Sequence, residues 1–249
     1  MISKQVSNFE GLVISVSQYG EDSAIVSFAT DSGLVPLLAR GIYKPKSQLK
    51  PLLIVGNLLK IDYKHTEKGL YIASSLLVIF DASEAMSNYQ ESVFLLLLSE
   101  LSMNLYKYGD SYPYKEVSTL ISSLLNKGDC LSTTLLLLGT FYRSLGINEN
   151  VNSCIGCGKK EDIVAYSLQE GGFLCSKCLE GYKNVEPCST LELYVLKFSF
   201  MPINQVYLSK TVPQKEGLKI LIGILNNLVD YFDLHPIKTL PVFISALTN

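Results

Sequence analysis

The amino-acid sequence predicts a multidomain α+β protein in which a small β-barrel precedes an α-helical domain. Strand-like segments fill the first 80 residues, apolar residues at helical spacing fill most of the rest, and two Cys-x-x-Cys pairs interrupt the helical part. The chain has 249 residues, of which 48% are apolar, and this is enough for a core in each domain. We therefore expect a barrel domain at 1–80 and a helical domain at 81–249, with a zinc ribbon inserted at about 150–182.

Five segments rich in Val, Ile, Leu and Tyr occupy the N-terminal part, and turn signals such as Tyr19-Gly20 separate them. Five short strands in this length favour a closed barrel of the OB-fold type, because closure leaves no open sheet edge. An SH3-like barrel is the alternative. The predicted strands are Phe9–Ser17, Asp22–Ala29, Gly33–Ala39, Leu52–Lys64 and Gly69–Phe80.

The region after residue 80 has the periodicity and the end signals of α-helices. Asp129 has the position of an N-cap before a leucine-rich helix, and Gly146 follows the last apolar residue of that helix. Ser189 and Glu192 have the spacing of a capping box before another helix. The predicted helices are Ser83 to about Tyr108, Pro113–Asn126, Leu131–Leu145, Leu193–Phe200 and Lys215–Phe232, and we take the fifth as the final helix of the chain.

The two Cys-x-x-Cys pairs, at 154–157 and 175–178, are separated by 17 residues, a spacing typical of a zinc ribbon. Each pair can place two thiolates on one tight turn, and two such turns form a tetrahedral set of four sulfurs. The residues between the pairs predict a strand, a turn and a short returning strand, at Ile163–Leu168 and Phe173–Leu174. Because the four ligands leave no open coordination position, we predict one structural Zn²⁺ bound by Cys154, Cys157, Cys175 and Cys178.

Other roles for these cysteines stay open at the level of sequence. Two disulfides are disfavoured, because no signal peptide is recognisable and six cysteines in 249 residues are too few for a disulfide scaffold. A redox pair would leave the second pair unexplained, whereas an iron–sulfur cluster could use the same four thiolates. Cys130 and Cys188 are predicted to be small buried apolar residues and not ligands.

Positive charge is concentrated in one stretch of the predicted barrel domain. Residues 35–68 carry seven basic and two acidic side chains, whereas the whole chain has a formal net charge of −2. Basic side chains neutralise phosphates and an exposed tyrosine can stack on a base, so this stretch predicts a site for single-stranded nucleic acid. The alternative is a solvated lysine face without a ligand. The candidate DNA-binding residues are Arg40, Tyr43, Lys44, Lys46 and Lys50, with Lys60 and Lys64 added on charge alone.

The sequence offers little support for catalysis or membrane insertion. His65 and His235 are the two histidines, and neither lies in a catalytic or metal-binding motif. No glycine-rich phosphate loop of the form G-x-x-x-x-G-K-[ST] is present. Charged residues interrupt the apolar runs well short of about 18 residues, and no secretory signal is recognisable. We therefore expect a non-enzymatic protein of the cytoplasm.

Three short motifs occur in a specific order along the chain. They are Tyr19-Gly20-Glu21-Asp22, Arg40-Gly41 followed by Lys44-Pro45-Lys46-Ser47, and Gly171-Gly172-Phe173-Leu174-Cys175. With these motifs the whole chain resembles the RecO family of bacterial recombination mediators. The resemblance implies an N-terminal OB-fold and a helical domain that carries the zinc ribbon. It also implies that Arg40, Lys44 and Lys46 contact DNA, although many members have more arginine in this loop.

The resemblance to RecO further implies a function in DNA repair. Members bind single- and double-stranded DNA, anneal complementary strands and help to load the recombinase RecA onto strands coated by single-stranded DNA-binding protein. The implied partners are RecR and the acidic C-terminal tail of that single-strand binder, with association with the nucleoid during repair. An alternative is a zinc-ribbon adaptor whose main role is protein–protein contact and whose nucleic-acid binding is incidental. A zinc- or thiol-dependent enzyme is the third possibility.

Overall fold

A computed structural model describes residues 6–65, 71–106 and 111–248 of the chain. Close contacts divide the chain into two compact units, Met1–Leu125 together with Lys238–Asn249, and Asn126–Ile237. The barrel strands end at Phe80 within the first unit. The domain boundary that we place at that residue stays a prediction.

Five strands close into a barrel in the first unit. They are β1 (Val6–Tyr19), β2 (Ser23–Thr30), β3 (Gly33–Ala39), β4 (Leu58–His65) and β5 (Tyr71–Phe80). Around the barrel they follow the order β1-β2-β3-β5-β4, and only β3 and β5 run parallel, meeting at Leu38 and Ile72. The predicted five-stranded barrel is therefore confirmed, while the predicted start of its fifth strand at Gly69 lies outside the described residues.

The fourth strand begins at Leu58 and not at Leu52, so the prediction of its start was wrong. The chain turns before the strand, because Lys50–Leu52 form a 3-10 helix and Gly56 has a φ of +94°. The Asn57 side chain holds this turn. Its amide donates to the Leu52 carbonyl at 2.9 Å, and its oxygen accepts from a buried backbone N–H after β5 at 2.7 Å.

Seven α-helices follow within the described residues. They are α1 (Tyr89–Leu105), α2 (Tyr114–Leu125), α3 (Cys130–Ser144), α4 (Ser176–Leu179), α5 (Thr190–Phe200), α6 (Gln214–Tyr231) and α7 (Leu240–Thr248). The predicted helix from Ser83 starts as a 3-10 helix and becomes an α-helix only at Tyr89, where the Asn88 side chain caps the first turn. Its predicted end near Tyr108 lies outside the described residues. No described helix is long and apolar enough to span a bilayer.

Helix α7 corrects the prediction that Lys215–Phe232 forms the final helix. It packs against α1, and the Glu100 carboxylate holds its start. That carboxylate accepts hydrogen bonds from the backbone N–H groups of Lys238 and Thr239 at 2.8 Å and from the Thr239 hydroxyl at 2.6 Å. With nine residues, α7 is too short to show a clear helical period in the sequence.

Strand β1 separates two buried layers in the first unit. Val13 faces the interior of the barrel, and Leu12 and Ile14 are fully buried on the opposite face, where α1 and α2 contact the strand. The barrel interior is filled by aliphatic side chains and one phenylalanine, to which the segment after β3 contributes two residues. The fully or almost fully buried members are Val13, Ala24, Val26, Phe28, Leu37, Ala39, Ile42, Leu53, Leu59 and Ile61.

Helix α3 lies at the centre of the second unit, and 13 of its 15 residues are buried. Asp129 caps its start, as predicted, by accepting a hydrogen bond from the backbone. Helix α5 crosses it so closely at Gly139 that a Cβ there would lie 1.8 Å from the Ser199 carbonyl oxygen. The predicted capping box is also present, since Ser189 and Glu192 exchange hydrogen bonds at the start of α5. The cysteine-containing segment is inserted between these two helices.

Candidate metal centre and nucleic-acid interface

A three-stranded sheet carries the four motif cysteines. Its strands are β6 (Asn150–Cys154), β7 (Ile163–Ser167) and β8 (Gly172–Cys175), in the order β6-β8-β7. The predicted strand, turn and returning strand correspond to β7 and β8, whereas β6 is an addition that the sequence pattern did not predict. Because β6 ends at the first cysteine and β8 ends at the third, the sheet brings the two Cys-x-x-Cys turns to the same place.

The sulfurs of Cys154, Cys157, Cys175 and Cys178, here called the four-cysteine cluster, all lie within 4.8 Å of one another. A regular tetrahedron of sulfurs around a metal ion, with metal–sulfur bonds of about 2.3 Å, has sulfurs about 3.8 Å apart. The Sγ atoms of Cys157 and Cys175 are 3.7 Å apart. The donor set and its spacing therefore fit a metal ion.

The first cysteine turn is shaped by its glycines. The Gly158 N–H donates to the Cys154 carbonyl at 2.8 Å, and Gly158 has a φ of +74°, which favours glycine. Gly156 lies so close to the second turn that a Cβ on it would be 3.0 Å from the Cys178 sulfur. The two glycines thus permit the approach of the two turns.

The four-cysteine cluster has unequal thiols. Burial raises the pKa of Cys154, but hydrogen bonds that its sulfur accepts, from the backbone N–H groups of Cys175, Gly156 and Cys157, outweigh burial and lower that pKa to about 6. The Cys178 thiol hydrogen-bonds to the other three sulfurs, with Cys157 contributing most, and these bonds raise its pKa to about 12. A metal ion binds the thiolate form of cysteine, so a divalent cation that binds all four sulfurs must displace the proton that the raised pKa of Cys178 favours.

The two remaining cysteines lie outside the cluster. Cys130 is buried at the start of α3, and Cys188 is half-buried before α5. Burial raises the pKa of the Cys188 thiol. Both cysteines pack among neighbouring side chains. Within the described residues, neither belongs to the group of sulfurs that could hold a metal ion.

The segment Arg40–Lys50 between β3 and β4, here called the basic loop, holds five of the predicted DNA-binding residues. The buried Ile42 side chain anchors it to the barrel core, and the Tyr43 N–H donates to the Asp22 carbonyl at 3.1 Å. Its charged side chains point outward and are held only weakly. The Lys44 ammonium is 3.9 Å from the Asp22 carboxylate, and the Lys50 ammonium is 5.9 Å from the centre of the Tyr43 ring. Arg40, Lys44, Lys46 and Lys50 are all exposed, and Tyr43 is 36% exposed.

Lys60 and Lys64 are exposed on β4, which borders β1 and β5 but not β3. In the strand register Lys60 faces Glu10 on β1 and Leu77 on β5. These two lysines thus belong to a different part of the barrel surface from the end of β3, where the basic loop starts. Their assignment as DNA-binding residues stays a prediction, as does that of the basic loop.

A pocket on the second unit has no counterpart in the sequence prediction, which assigned no residues to a site for a protein partner. It has a volume of about 270 Å³ and lies between α5 and the segment that follows it. Tyr194 and Phe198 on α5 and Met201 directly after its end recur at spacings of four and three, and this pattern is the signal that the sequence contained. The lining of this α5 pocket is Tyr194, Lys197, Phe198, Met201, Gln205, Val206, Tyr207 and Lys210.

Two family models match the chain, one over each part of the fold. "Recombination protein O N terminal" matches residues 2–80, and "Recombination protein O C terminal" matches residues 86–234. The chain belongs to the RecO family. The resemblance inferred from the three motifs is thereby confirmed, and the RecO N-terminal match ends at the last residue of β5.

Curated RecO proteins from several bacilli are similar to the chain. Two named DNA repair protein RecO, from Bacillus cereus (strain AH187) and Bacillus anthracis, are each 28% identical over 178 residues, which is 69% of this chain and 70% of the relative. The protein of the same name from Bacillus cytotoxicus is 26% identical over 178 residues, with the same coverage.

Proposed function

We propose that the protein acts in DNA repair as a recombination mediator. It binds single- and double-stranded DNA, anneals complementary strands and helps to load a recombinase onto strands coated by single-stranded DNA-binding protein. The observation that carries this proposal is the match of both parts of the chain to the RecO family, whose curated relatives are named DNA repair proteins. The protein works in the cytoplasm and joins the nucleoid during repair.

The basic loop is the DNA contact in this proposal. Its four cations are exposed and make few interactions within the protein, so phosphates can approach them without breaking a buried ion pair. Tyr43 lies among them with its ring partly exposed, and base stacking on such a ring tolerates any sequence. Three of the four cations are lysines, which act as point charges, so binding depends strongly on salt. Lys60 and Lys64 supply a second, separate contact on β4 in this proposal.

The four-cysteine cluster binds one Zn²⁺ in this proposal and has a structural role. Cys154, Cys157, Cys175 and Cys178 supply all four ligands, so the ion has no open position for a substrate or a reactive water. The free energy of binding stabilises the fold of the sheet around it. We therefore infer that the protein acts by binding and not by catalysis.

The α5 pocket is where we place the acidic C-terminal tail of single-stranded DNA-binding protein. Aromatic and aliphatic side chains form most of its lining, and Lys197 and Lys210 are exposed at its edge. This combination suits an acidic peptide, because its carboxylates meet the lysines while apolar parts of the peptide pack against the aromatic lining. RecR is the second protein partner. RecA is an indirect partner, because it loads onto the single-stranded DNA that the mediator makes accessible.

The α5 pocket also supports the alternative function of a zinc-ribbon adaptor. In that case the protein mainly joins other proteins, and its contact with nucleic acid is incidental. The two functions differ in what the basic loop contributes to the reaction.

The test is strand annealing of complementary oligonucleotides coated with single-stranded DNA-binding protein, without ATP. The mediator function predicts annealing that is lost when Arg40, Lys44 and Lys46 are changed to Ala. Lys197→Glu with Lys210→Glu should abolish annealing of coated strands and leave annealing of bare strands intact. Annealing that persists without the three basic residues would favour the adaptor, and no annealing by the unaltered protein would contradict the mediator function.

A further inference from the structure

The segment between α5 and α6 forms one wall of the α5 pocket. Helix α5 and Met201, which directly follows it, form the opposite wall. Residues 202–211 are here called the strap, and their contribution to the lining is Gln205, Val206, Tyr207 and Lys210. One wall of the pocket is thus a helix, and the other is mainly a loop with a short 3-10 helix.

The strap is attached to the rest of the second unit at its two ends. Before it, the Arg143 guanidinium donates hydrogen bonds to the carbonyls of Phe200 and Met201, at 3.1 and 3.3 Å. After it, the backbone N–H of the buried Val212 donates to the Ser132 hydroxyl at 3.0 Å. Arg143 and Ser132 both belong to α3. The two ends of the strap are therefore fixed to the same buried helix.

Between these two anchors the strap forms hydrogen bonds only with itself. Its backbone hydrogen bonds join residues three apart, with distances of 2.9 to 3.4 Å. Within the described part of the chain, no hydrogen bond joins residues 202–211 to another segment, and none of these ten residues is buried. A loop that is fixed only at its ends can move about them without breaking hydrogen bonds to the rest of the protein.

Tyr207 is the strap residue that gains most from such a movement. It lines the α5 pocket, yet it is 77% exposed, the largest exposed fraction of any large apolar residue that the structure describes. Across the pocket, the ring of Tyr194 lies 6.5 Å from the ring of the buried Phe198. A fully covered tyrosine buries on the order of 150–250 Å². Most of this area on Tyr207 stays in water until the pocket is filled.

We propose that the strap closes over the acidic tail peptide in the α5 pocket and that Tyr207 is the side chain that covers the peptide. This inference rests on the proposed placement of the tail at this site. Lys197 on α5 and Lys210 on the strap are both exposed, so carboxylates between them draw the strap towards the helix. Without an anion between them, the like charges of the two lysines oppose closure. The peptide therefore binds the closed position better than the open one, as a ligand must to shift a conformational equilibrium.

The first experiment makes use of a sequence that contains no tryptophan. Tyr207→Trp in the intact protein places a single fluorophore on the strap. Tyr231→Trp is the matched control, because Tyr231 is 66% exposed at the end of α6 and does not line the pocket. Titration with a synthetic, tryptophan-free peptide of the acidic tail should shift the emission of Tyr207→Trp to shorter wavelength and leave that of the control unaltered.

Relaxation of this emission after a temperature jump separates closure from simple covering of a fixed side chain. A strap that closes after the peptide binds gives two phases, one that speeds up with peptide concentration and one whose rate levels off. A fixed wall gives a single phase that rises linearly with concentration. That single phase would overturn the proposal.

The second experiment measures the affinity of the same peptide by calorimetry. Tyr207→Ala should weaken binding about tenfold, whereas Tyr207→Phe should keep most of the affinity because the ring supplies the contact. Tyr231→Ala should bind like the unaltered protein. Lys197→Glu with Lys210→Glu should abolish both binding and the emission change.

The outcomes separate failure of the strap from failure of the tail placement. If the peptide binds and the lysine double variant abolishes binding, but Tyr207→Ala keeps full affinity, the strap is overturned and the tail placement stands. If the peptide does not bind the unaltered protein, both are overturned, and annealing of bare strands still tests the DNA contact separately.

Discussion

The four-cysteine cluster and the basic loop hold their functional groups in opposite ways. In the cluster, four sulfurs lie within 4.8 Å of one another, two of the cysteines are buried, and backbone N–H groups aim at one of the sulfurs. In the basic loop the cations are exposed, and the contacts that hold them are an ion pair of 3.9 Å and a cation–ring distance of 5.9 Å. A site that depends on geometry should fail when one residue changes, whereas a site that depends on local charge should weaken in steps.

The largest expected effect comes from Cys175→Ser in the four-cysteine cluster. Zinc bound by four cysteines contributes an apparent free energy of roughly 10–16 kcal/mol, so loss of one ligand should unfold the sheet around it. Metal analysis should find no bound zinc, and hydrogen exchange in residues 150–182 should become fast. Cys188→Ser is the matched control and should keep the metal. Full metal content in Cys175→Ser would show that the four-cysteine cluster does not depend on each of its ligands, and the contrast with the basic loop would be lost.

The next effect is expected at the crossing of α3 and α5, the two helices that flank the ribbon in the chain. Gly139→Ala should lower the free energy of unfolding by about 2–4 kcal/mol, because the added Cβ would overlap the Ser199 carbonyl. Urea unfolding measures this change. Gly223→Ala on α6 is the control, since its Cβ would lie at an ordinary 3.5 Å from the Leu168 side chain. A similar loss in both variants would mean that the close crossing is not responsible.

A graded effect is expected in the basic loop. Changing Arg40, Lys44 and Lys46 to Ala together should weaken binding to oligo-dT about 10- to 100-fold at low salt, and each single change should account for only part of this loss. Each phosphate contact on a single strand contributes about 0.7 to the slope of log affinity against log salt. Loss of three contacts should therefore make this slope shallower by about 2. Fluorescence anisotropy over a salt series gives both quantities.

The control for the loop is a second set of exposed lysines, Lys159, Lys160 and Lys177, which lie beside the cysteine turns. Changing them to Ala should leave the affinity and the salt slope nearly unaltered. If a single change in the basic loop abolished binding, the loop would resemble the four-cysteine cluster, and the contrast between the two sites would be lost.

The smallest effect concerns the ion pair of Glu192 and Lys219 in the second unit. A hydrogen bond from Lys219, with help from the Ser189 N–H, lowers the pKa of Glu192 from 4.5 to about 2. The resulting stabilisation is present above pH 4.5 and is lost as the pH falls towards 2. Because the lysine is largely exposed, the loss amounts to about 1 kcal/mol.

Glu192→Gln tests this contribution, because glutamine can keep the capping box while it removes the charge. Melting temperatures between about pH 2 and pH 7 should show a smaller acid-induced decrease in the variant than in the unaltered protein. Glu216→Gln, in the first turn of α6, is the comparison variant. An unaltered pH profile in Glu192→Gln would show that the ion pair does not stabilise the fold.

The elements that could be predicted from sequence are those that short-range chemistry determines. Asp129 and the pair Ser189 and Glu192 mark helix starts through hydrogen bonds across three residues, and the structure contains both caps. The cysteine spacing likewise predicted the four-cysteine cluster. Such signals need only a few neighbouring residues, so one sequence is sufficient to find them.

The elements that sequence reasoning missed depend on partners far along the chain. The start of β4 is set by Asn57, whose side chain also bonds a backbone N–H 25 residues later. Helix α7 is held by Glu100, more than a hundred residues before it. The α5 pocket requires two segments to fold onto each other. The contacts of Asn57 and Glu100 have no local pattern, because each partner alone is an ordinary polar residue, and the spacing of Tyr194 and Phe198 on α5 does not show which segment folds against them.

The attachment of α7 to α1 has a consequence for the order in which the chain folds during synthesis. Leu240–Thr248 is translated after the whole of Asn126–Ile237, yet it belongs to the first compact unit. The second unit therefore has all of its residues outside the ribosome before the first unit is complete. Until then the surface of α1 that α7 covers is exposed. The unit that contains the barrel is therefore completed last, although its barrel strands are synthesised first.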